Sequence, residues 1–402
     1  MDKRTARREY KGDFIRGIQS YRCKVEGARG ASGESGGGDP SRGSGGVRVC
    51  VRRRPIFDYE LKDHEFDVLT CVDNKIIVHD ARMHVDMKKQ YLHHHEFTFD
   101  NVFNERAQNK AVYDTTARPL VNCAATGGFA TCLMYGQTGS GKTHTMSAIY
   151  EYAASDIFTQ LQSSPRAAVS VSFFELSGEV CSDMLNMFEP AQLLTGRDGS
   201  VHAFPLVEVK VTTAEDLIAL INHGRAVRTT ASTGVNDTSS RSHAILKIYV
   251  SPGGEAGGSD EGVLTLVDLA GSEHRIDSMY HGAERRKEGA MINASLMALK
   301  ECVRARASGK NFSHQYRKNK LTMALKSSFM NPSAQTVIIA TVSPASKDTE
   351  HSLNTLRHAC IMDGQQSSAG DEETRFITGG VKEIELIGEV DVSGISRQRR
   401  QD

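Results

Sequence analysis

The chain has 402 residues, and 49 Lys+Arg balance 49 Asp+Glu, so its formal net charge is zero. Hydrophobic residues at 39% and charged residues at 24% suit a folded domain with a core, and the neutral balance argues against a generic nucleic-acid coat or a polybasic membrane protein. No run nears the ~18 apolar residues of a membrane span, the basic start MDKRTARREYKGDF lacks the apolar stretch of a secretory signal, and eight cysteines without a CxxC pair read as buried, reduced thiols of a cytosolic protein.

In chain order, residues 1–26 form a basic segment. Tyr10, Phe14, Ile18 and Tyr21 recur there at helical spacing, although Gly12 and Gly17 weaken a helix. Residues 27–46 are a Gly/Ser-rich linker that cannot build a core. Residues 47–362 carry the periodicity of a folded domain. Short apolar runs predict strands at 47–51, 75–80, 131–136, 168–176, 244–250, 263–270 and 336–344. Helical patterns alternate with several of them, which predicts an α/β domain: a buried mixed sheet with helices on both faces. Residues 252–262 predict a hairpin loop. Residues 363–402 form a polar extension whose alternating runs at 384–386 and 390–392 fit either a weak hairpin or disorder. No heptad is sustained, so no coiled coil is expected within the chain.

The strongest motif is GQTGSGKT, formed by Gly136, Gln137, Thr138, Gly139, Ser140, Gly141, Lys142 and Thr143. It matches GxxxxGK[ST] between a strand and a helix. Its glycines let successive backbone N–H groups face a phosphate. Lys142 would reach the β- and γ-phosphates, and Thr143 would ligate Mg²⁺. A second element is VDLAGSE: Asp268, at the end of a strand, would join the Mg²⁺ site through water, and Gly271 could offer an N–H to a γ-phosphate. The third is NDTSSRSH, Asn236 to His243, whose hydroxyls could hold Mg²⁺ and position a water. Arg241 needs an anion if buried, and Glu273 is the natural candidate. A Ser-rich run alone would be read as a polar turn.

In this order the three motifs resemble the P-loop, switch I and switch II of a kinesin motor domain. VRRRP (51–55), SFFEL (172–176), INASL (292–296), NKLT (319–322) and NTLRHA (354–359) extend the resemblance over 47–362. The resemblance implies a P-loop NTPase with a central eight-stranded mixed sheet and three helices on each face. It also implies ATP hydrolysis with ATP/ADP and Mg²⁺, and tubulin as partner. Arg52, Arg54, Pro55 and His144 would border the nucleotide. Ser240 would join Thr143 on Mg²⁺, and Asn236 and Ser239 would serve the lytic water. Arg241 and Glu273 would form a switch salt bridge.

Within kinesins the chain is most similar to the internal-motor, microtubule-depolymerising branch, kinesin-13. EGAMINASLMALKECVRA (288–305) carries the distinctive Lys300-Glu301-Cys302, and a basic segment precedes the motor. His84-Val85-Asp86 stands where that branch has a Lys-Val-Asp tip, so that anchor weakens near neutral pH unless His84 is protonated. Ala294 replaces a Lys, and the segment after SFFEL lacks the family's Tyr-Asn pair. Eight Lys/Arg between 300 and 326, against Glu301 alone, predict a basic tubulin face that includes Arg304, Arg317 and Lys320. The alternatives are a translocating motor and a non-hydrolysing microtubule adaptor. No nucleic acid or membrane partner is expected. Any dimer would form outside the motor, and the expected location is the cytoplasmic microtubule cytoskeleton, at spindle or flagellar ends. His93 to His95 are not expected to bind a metal, because adjacent strand residues face opposite ways.

Overall fold

The computed structural model describes residues 3–32, 46–84, 90–162, 164, 166–197, 200–231, 240–252, 261–273, 283–309, 315–363 and 381–384. Two helices, α1 (Lys3–Glu9) and α2 (Lys11–Ser32), come first. Strand β1 (Val47–Arg53) and the short α3 (Asp58–Lys62) lead into β2 (Leu69–Val72), β3 (Lys75–Met83), β4 (Gln90–Thr98) and β5 (Asn101–Phe103). Helices α4 (Asn109–Thr116) and α5 (Arg118–Ala125) precede β6 (Phe129–Gly136) and α6 (Lys142–Leu161). Next are β7 (Ala168–Ser177), β8 (Val180–Asp183), β9 (Glu189–Thr195), β10 (Val201–Phe204), β11 (Val209–Val211) and α7 (Ala214–Ala231). The chain continues through β12 (His243–Ser251), β13 (Gly262–Asp268), α8 (Ala283–Ala307), α9 (Lys320–Ala324), α10 (Lys326–Met330), β14 (Gln335–Val342), α11 (Thr349–Met362) and β15 (Val381–Ile384).

The main sheet runs β10-β9-β8-β7-β12-β13-β6-β14-β1-β5, with β11 on β7. Its centre is parallel: β6 lies between β13 and β14, and β1 follows β14. The seven residues of β6 after Phe129 are all buried, which is why this strand reads as an unbroken apolar run. One face is covered by α4–α7, through residues such as Tyr113, Ile149 and Leu217. The other is covered by α8–α11, through Leu296, Leu321, Phe329 and Leu356. Both α4/α5 and α9/α10 are single helices broken in the middle, at Ala117 before Pro119 and at Leu325. Three helical units per face result, as expected. The sheet has eleven strands instead of eight, and β5, β8, β10 and β11 are short additions of three or four residues each.

Strand 75–80 is not part of that sheet. It forms β3 of a second sheet, ordered β15-β4-β3-β2. Asp73 and Asn74 close a tight hairpin, with Asp73 at φ 52°, and this gives β3 two local antiparallel partners. The β12–β13 hairpin predicted around 252–262 is present, pairing Val250 with Gly262, and its tip lies outside the described residues. Of the C-terminal extension, only 381–384 is described after Asp363, as a strand on β4.

The N-terminal segment is an integral part of the domain. α2 runs to Ser32, six residues into the expected linker; 33–45 lie outside the described residues. Phe14 and Ile18 are fully buried in the core, and Phe14 stacks on Phe66 at 6.3 Å. Burial of this apolar stripe overcomes the weak helix propensity of Gly12 and Gly17. Arg7, expected to be a solvated basic residue, is 3% exposed. Cys23 is exposed, unlike the buried thiol expected there. Phe14→Ala is expected to cost ~3–5 kcal/mol, as for other buried Phe truncations; a urea midpoint unchanged from wild type would show that the helix is not docked.

Candidate active site

The parallel strands β6 and β13 end on one rim, with Asp268 level with Met134. Loops after such strand ends hold ligands in open α/β sheets. The chain leaves β6 at Gly136, whose φ is 150° and where a Cβ would stand 2.3 Å from the Thr341 carbonyl oxygen. Only glycine fits there. The loop then enters α6 through Gly141, left-handed at φ 103°. Ser140 is buried and fastens the loop from below: its hydroxyl donates to the Gln137 carbonyl at 2.7 Å and bonds the Thr341 hydroxyl at 2.7 Å. Gln137 is buried too, with Oε1 unpartnered. Lys142 is 6% exposed, and its Nζ donates to the carbonyls of Gly136 (2.9 Å) and Gln137 (3.0 Å). Thr138 and Gly139 form the exposed crest.

Thr143 and Asp268 converge as expected. The Thr143 hydroxyl donates to Asp268 Oδ2 at 2.9 Å. Asp268 Oδ1 is buried with no hydrogen-bond partner among the described residues. A hydroxyl beside a carboxylate with an orphaned oxygen fits a hydrated Mg²⁺, which would otherwise need several oxygen ligands. Ser240 reaches the same region through its backbone: its carbonyl accepts the Gly271 N–H at 2.8 Å. That bond engages the N–H expected to meet a γ-phosphate. Asn236 and Ser239 lie outside the described residues.

The expected salt bridge between Arg241 and Glu273 is absent. Arg241 Nη1 instead lies 3.6 Å from Glu288 Oε2 at the start of α8. Glu273 Oε1 accepts the Thr138 N–H of the phosphate loop at 2.9 Å. The physical reason is that the loop amides form an anion site, which a nearby carboxylate can also satisfy.

The base-side residues divide. Arg52 is part-buried, and its guanidinium donates to the Thr145 hydroxyl (2.8 Å) and the Ala107 carbonyl (3.2 Å). Pro55 and His144 are exposed. Arg54, expected to touch nucleotide, is instead 9% exposed and holds the loop. It donates to the Gly139 carbonyl at 2.8 Å, both oxygens of Glu60 at 2.6 and 2.7 Å, and the Ser343 hydroxyl at 2.8 Å.

Two buried groups were missed. Arg228 donates to Glu175 Oε1 at 2.7 Å and to the Ser242 carbonyl and hydroxyl, each at 2.9 Å. This ion pair ties the end of switch I to β7 and α7. The signal was available, since Glu175 interrupts an apolar strand and a buried carboxylate needs a cation. His243 joins Asp268's flank to α8: Nδ1 accepts the Ala270 N–H at 3.1 Å, and Nε2 bonds the Ser295 hydroxyl at 2.9 Å. Burial, aided by Arg228 and Lys142, pushes this imidazole down to about 3. It is therefore neutral and accepts at Nδ1.

The expected tubulin residues also divide. Leu296, Leu299, Lys300 and Val303 share the inward face of α8. Lys300 is 6% exposed, with Nζ 6.0 Å above the Tyr135 ring, and burial lowers its amine to about 8. Cys302 is fully buried, and Arg306 caps the carbonyls of Phe329, Asn331 and Ala334. These three are core groups, corrected from a surface assignment. Met297, Glu301 and Arg304 face outward, and Lys318 lies 3.5 Å from Glu301. Arg317 is exposed and Lys320 part-exposed. His84 is half-buried beside Tyr91, ring centroids 4.8 Å apart. Val85 and Asp86 lie outside the described residues.

The model of the kinesin motor domain family matches residues 52–363. A relative named "Diatom spindle kinesin-1", from Cylindrotheca fusiformis, is 40% identical over 341 residues, covering 84% of this chain and 54% of the relative. The chain thus spans about half the length of that curated relative. A solved structure, "Structure of a fast kinesin: Implications for ATPase mechanism and interactions with microtubules", superposes with a TM-score of 0.70 at 27% identity, covering 82% of this chain and 95% of that one.

Proposed function

The chain belongs to the kinesin motor family, and from that premise we propose that it couples ATP hydrolysis to tubulin and shortens microtubules from their ends. Kinesin motor domains are ATPases. The residues that would act here are those of the phosphate loop and the two switches. The loop amides and Lys142 bind and orient the phosphates. Mg²⁺, held by Thr143 and Asp268, would neutralise phosphate charge. An incoming γ-phosphate competes with Glu273 for the Thr138 N–H. Glu273 is then free to exchange toward Arg241, which leaves Glu288. That exchange moves the start of α8, and the neutral His243 carries the same movement through Ser295.

One observation supports action on tubulin: the helix coupled to the switches presents Met297, Glu301 and Arg304 outward, beside the exposed cations Arg317 and Lys318. A basic face suits an acidic filament and weakens with salt. Depolymerisation is favoured by the β3–β4 pair, two nine-residue antiparallel strands that flank the sequence position of His84-Val85-Asp86. Differential affinity for curved over straight tubulin would drive it. The diatom relative's name makes the spindle the first cellular location to examine, and a dimer would form through segments outside the motor.

Stabilised microtubules incubated with the chain and ATP are expected to shorten from their ends. Gliding of full-length filaments would establish translocation instead. Arg304→Ala with Arg317→Ala is expected to weaken microtubule binding about tenfold at low salt, with basal ATPase unchanged. Equal binding by the double variant would sink the proposed face.

A further inference from the structure

We propose that Arg7, on the N-terminal helix, is a positioning residue for the nucleotide site, acting through the 343–350 segment and Arg54 on the phosphate loop. The proposal rests on the reading that this loop binds ATP and ADP. The chain of contacts begins at the loop itself. Arg54 holds the Gly139 carbonyl at the crest, and it also donates to Glu60, Ser343 and the neighbouring Pro55 carbonyl. Ser343 in turn donates to Asp348 at 2.7 Å, and its carbonyl accepts the Ser352 hydroxyl at 2.8 Å. Lys347 reaches Glu60 at 3.8 Å. The segment between β14 and α11 therefore sets where Arg54 can sit.

The far side of that segment is held by α1. Arg7 donates to the Ser346 carbonyl at 3.1 Å, to both oxygens of Glu350 at 2.8 and 2.9 Å, to Asp80 at 2.8 Å and to the Ala81 carbonyl at 3.3 Å. All five N–H groups of the guanidinium are thereby engaged. The buried Glu65 adds a second tie. It accepts the Ser346 hydroxyl at 2.5 Å and the Lys347 N–H at 2.7 Å, while Lys11 of α2 holds its backbone carbonyl at 3.1 Å.

Burying a guanidinium against two carboxylates is costly compared with apolar packing, and such a network tends to specify one geometry. Arg7 directs this network at the segment that sets Arg54, whereas apolar burial is supplied by Ala6 on α1 and by Phe14 and Ile18 on the adjoining α2. Coupling of this kind is reciprocal: what stabilises docking of α1 must also favour nucleotide binding.

The test uses the full chain and fluorescently labelled ADP with Mg²⁺, together with steady-state ATPase. Arg7→Ala is expected to weaken ADP binding and raise the KM for ATP by about tenfold, within the usual span of coupling between sites, while kcat stays near wild type. Arg7→Lys, which keeps the charge but not the fork, should fall between. Arg16→Ala, exposed on α2, should change neither. Unchanged ADP affinity in Arg7→Ala, even with a lower Tm, would overturn the proposal and leave Arg7 a purely structural group. Should Arg7→Ala fail to fold, Glu350→Gln on the half-exposed partner decides: ADP affinity weakened by about threefold supports the coupling, and wild-type affinity refutes it. Failure of the wild-type chain itself to bind ADP would instead remove the nucleotide reading, and this proposal with it.

Discussion

Lys142→Ala is expected to lower ATP turnover by about a thousandfold, near the upper end of what loss of one preorganised donor to a developing charge costs. Phosphoryl transfer depends almost wholly on positioning and charge stabilisation. Lys142 is the cation of the phosphate loop, and its ammonium is held between two carbonyls of that loop, so its position is set before any phosphate arrives. The fold should survive the change, because Gly141 and the apolar face of α6 set the helix start independently of the ammonium. The assay is steady-state ATPase beside a circular dichroism melt. Turnover above a tenth of wild type would mean that another group supplies the charge. A collapsed melt would mean that the ammonium holds the loop itself together.

Acidification from pH 7 to pH 5 is expected to remove several kcal/mol of folding stability, a large share of the 5–15 kcal/mol typical of a domain. Burial pushes His94 and His95 down to about 4, reinforced by neighbouring imidazoles, and His243 to about 3. His79 is also driven well below its ordinary value, by burial first and then by His94, Arg22 and Arg53. Each of these rings is neutral in the fold but takes a proton near pH 6.5 once unfolded. The unfolded state therefore binds more protons below pH 6.5, and stability is lost as pH falls from there toward each folded value. The limit is about 1.4 kcal/mol per pH unit for each ring. The histidines are also placed to make the loss specific. Tyr21 of α2 stacks on His94 at 4.3 Å and meets His79 edge-on at 5.0 Å, while the facing ring nitrogens of that pair are 2.5 Å apart. A proton there would set a charge beside Arg22 and Arg53. Urea midpoints at pH 7, 6 and 5 provide the measurement. A midpoint that stays flat to pH 5 would show that these rings are solvated in the fold, and His94→Gln should flatten the slope if they are not.

Glu350 follows the opposite window. Burial raises its carboxyl, but the hydrogen bonds and charge of Arg7 outweigh that and hold it at about 2. Its contribution is present above pH ~4.5 and fades as pH falls toward 2, so it adds nothing to the loss between pH 7 and 5.

The strand-forming runs and the phosphate loop were legible because both are local. Seven apolar runs carried their period, and each falls within a strand or overlaps one. GQTGSGKT carries its geometry in glycine spacing, so the site of Lys142 and Thr143 needed no distant information. Asp268 was legible for the same reason, as the polar end of a buried strand. Lys300 was misassigned because a charge count has no direction: the turn of α8 that places Glu301 and Arg304 outward must place Lys300 inward. Arg7 and Arg54 read as solvated or nucleotide-facing cations, yet both are buried between carboxylates that lie far along the chain or on another element. The partner of Arg241 depended on which carboxylate stood nearer, Glu273 or Glu288, and spacing along the chain does not carry that distance.

Local patterning was enough for the class of fold, the phosphate site and the order of the switches, since periodicity and glycine placement act over a few residues. The tertiary structure alone decided the second sheet, the docking of the N-terminal helix and the partner of every buried charge. The reason is desolvation: a cation removed from water must meet an anion or a carbonyl wherever the packing brings one, and for Arg7 that place is 73 residues away at Asp80 and 343 residues away at Glu350.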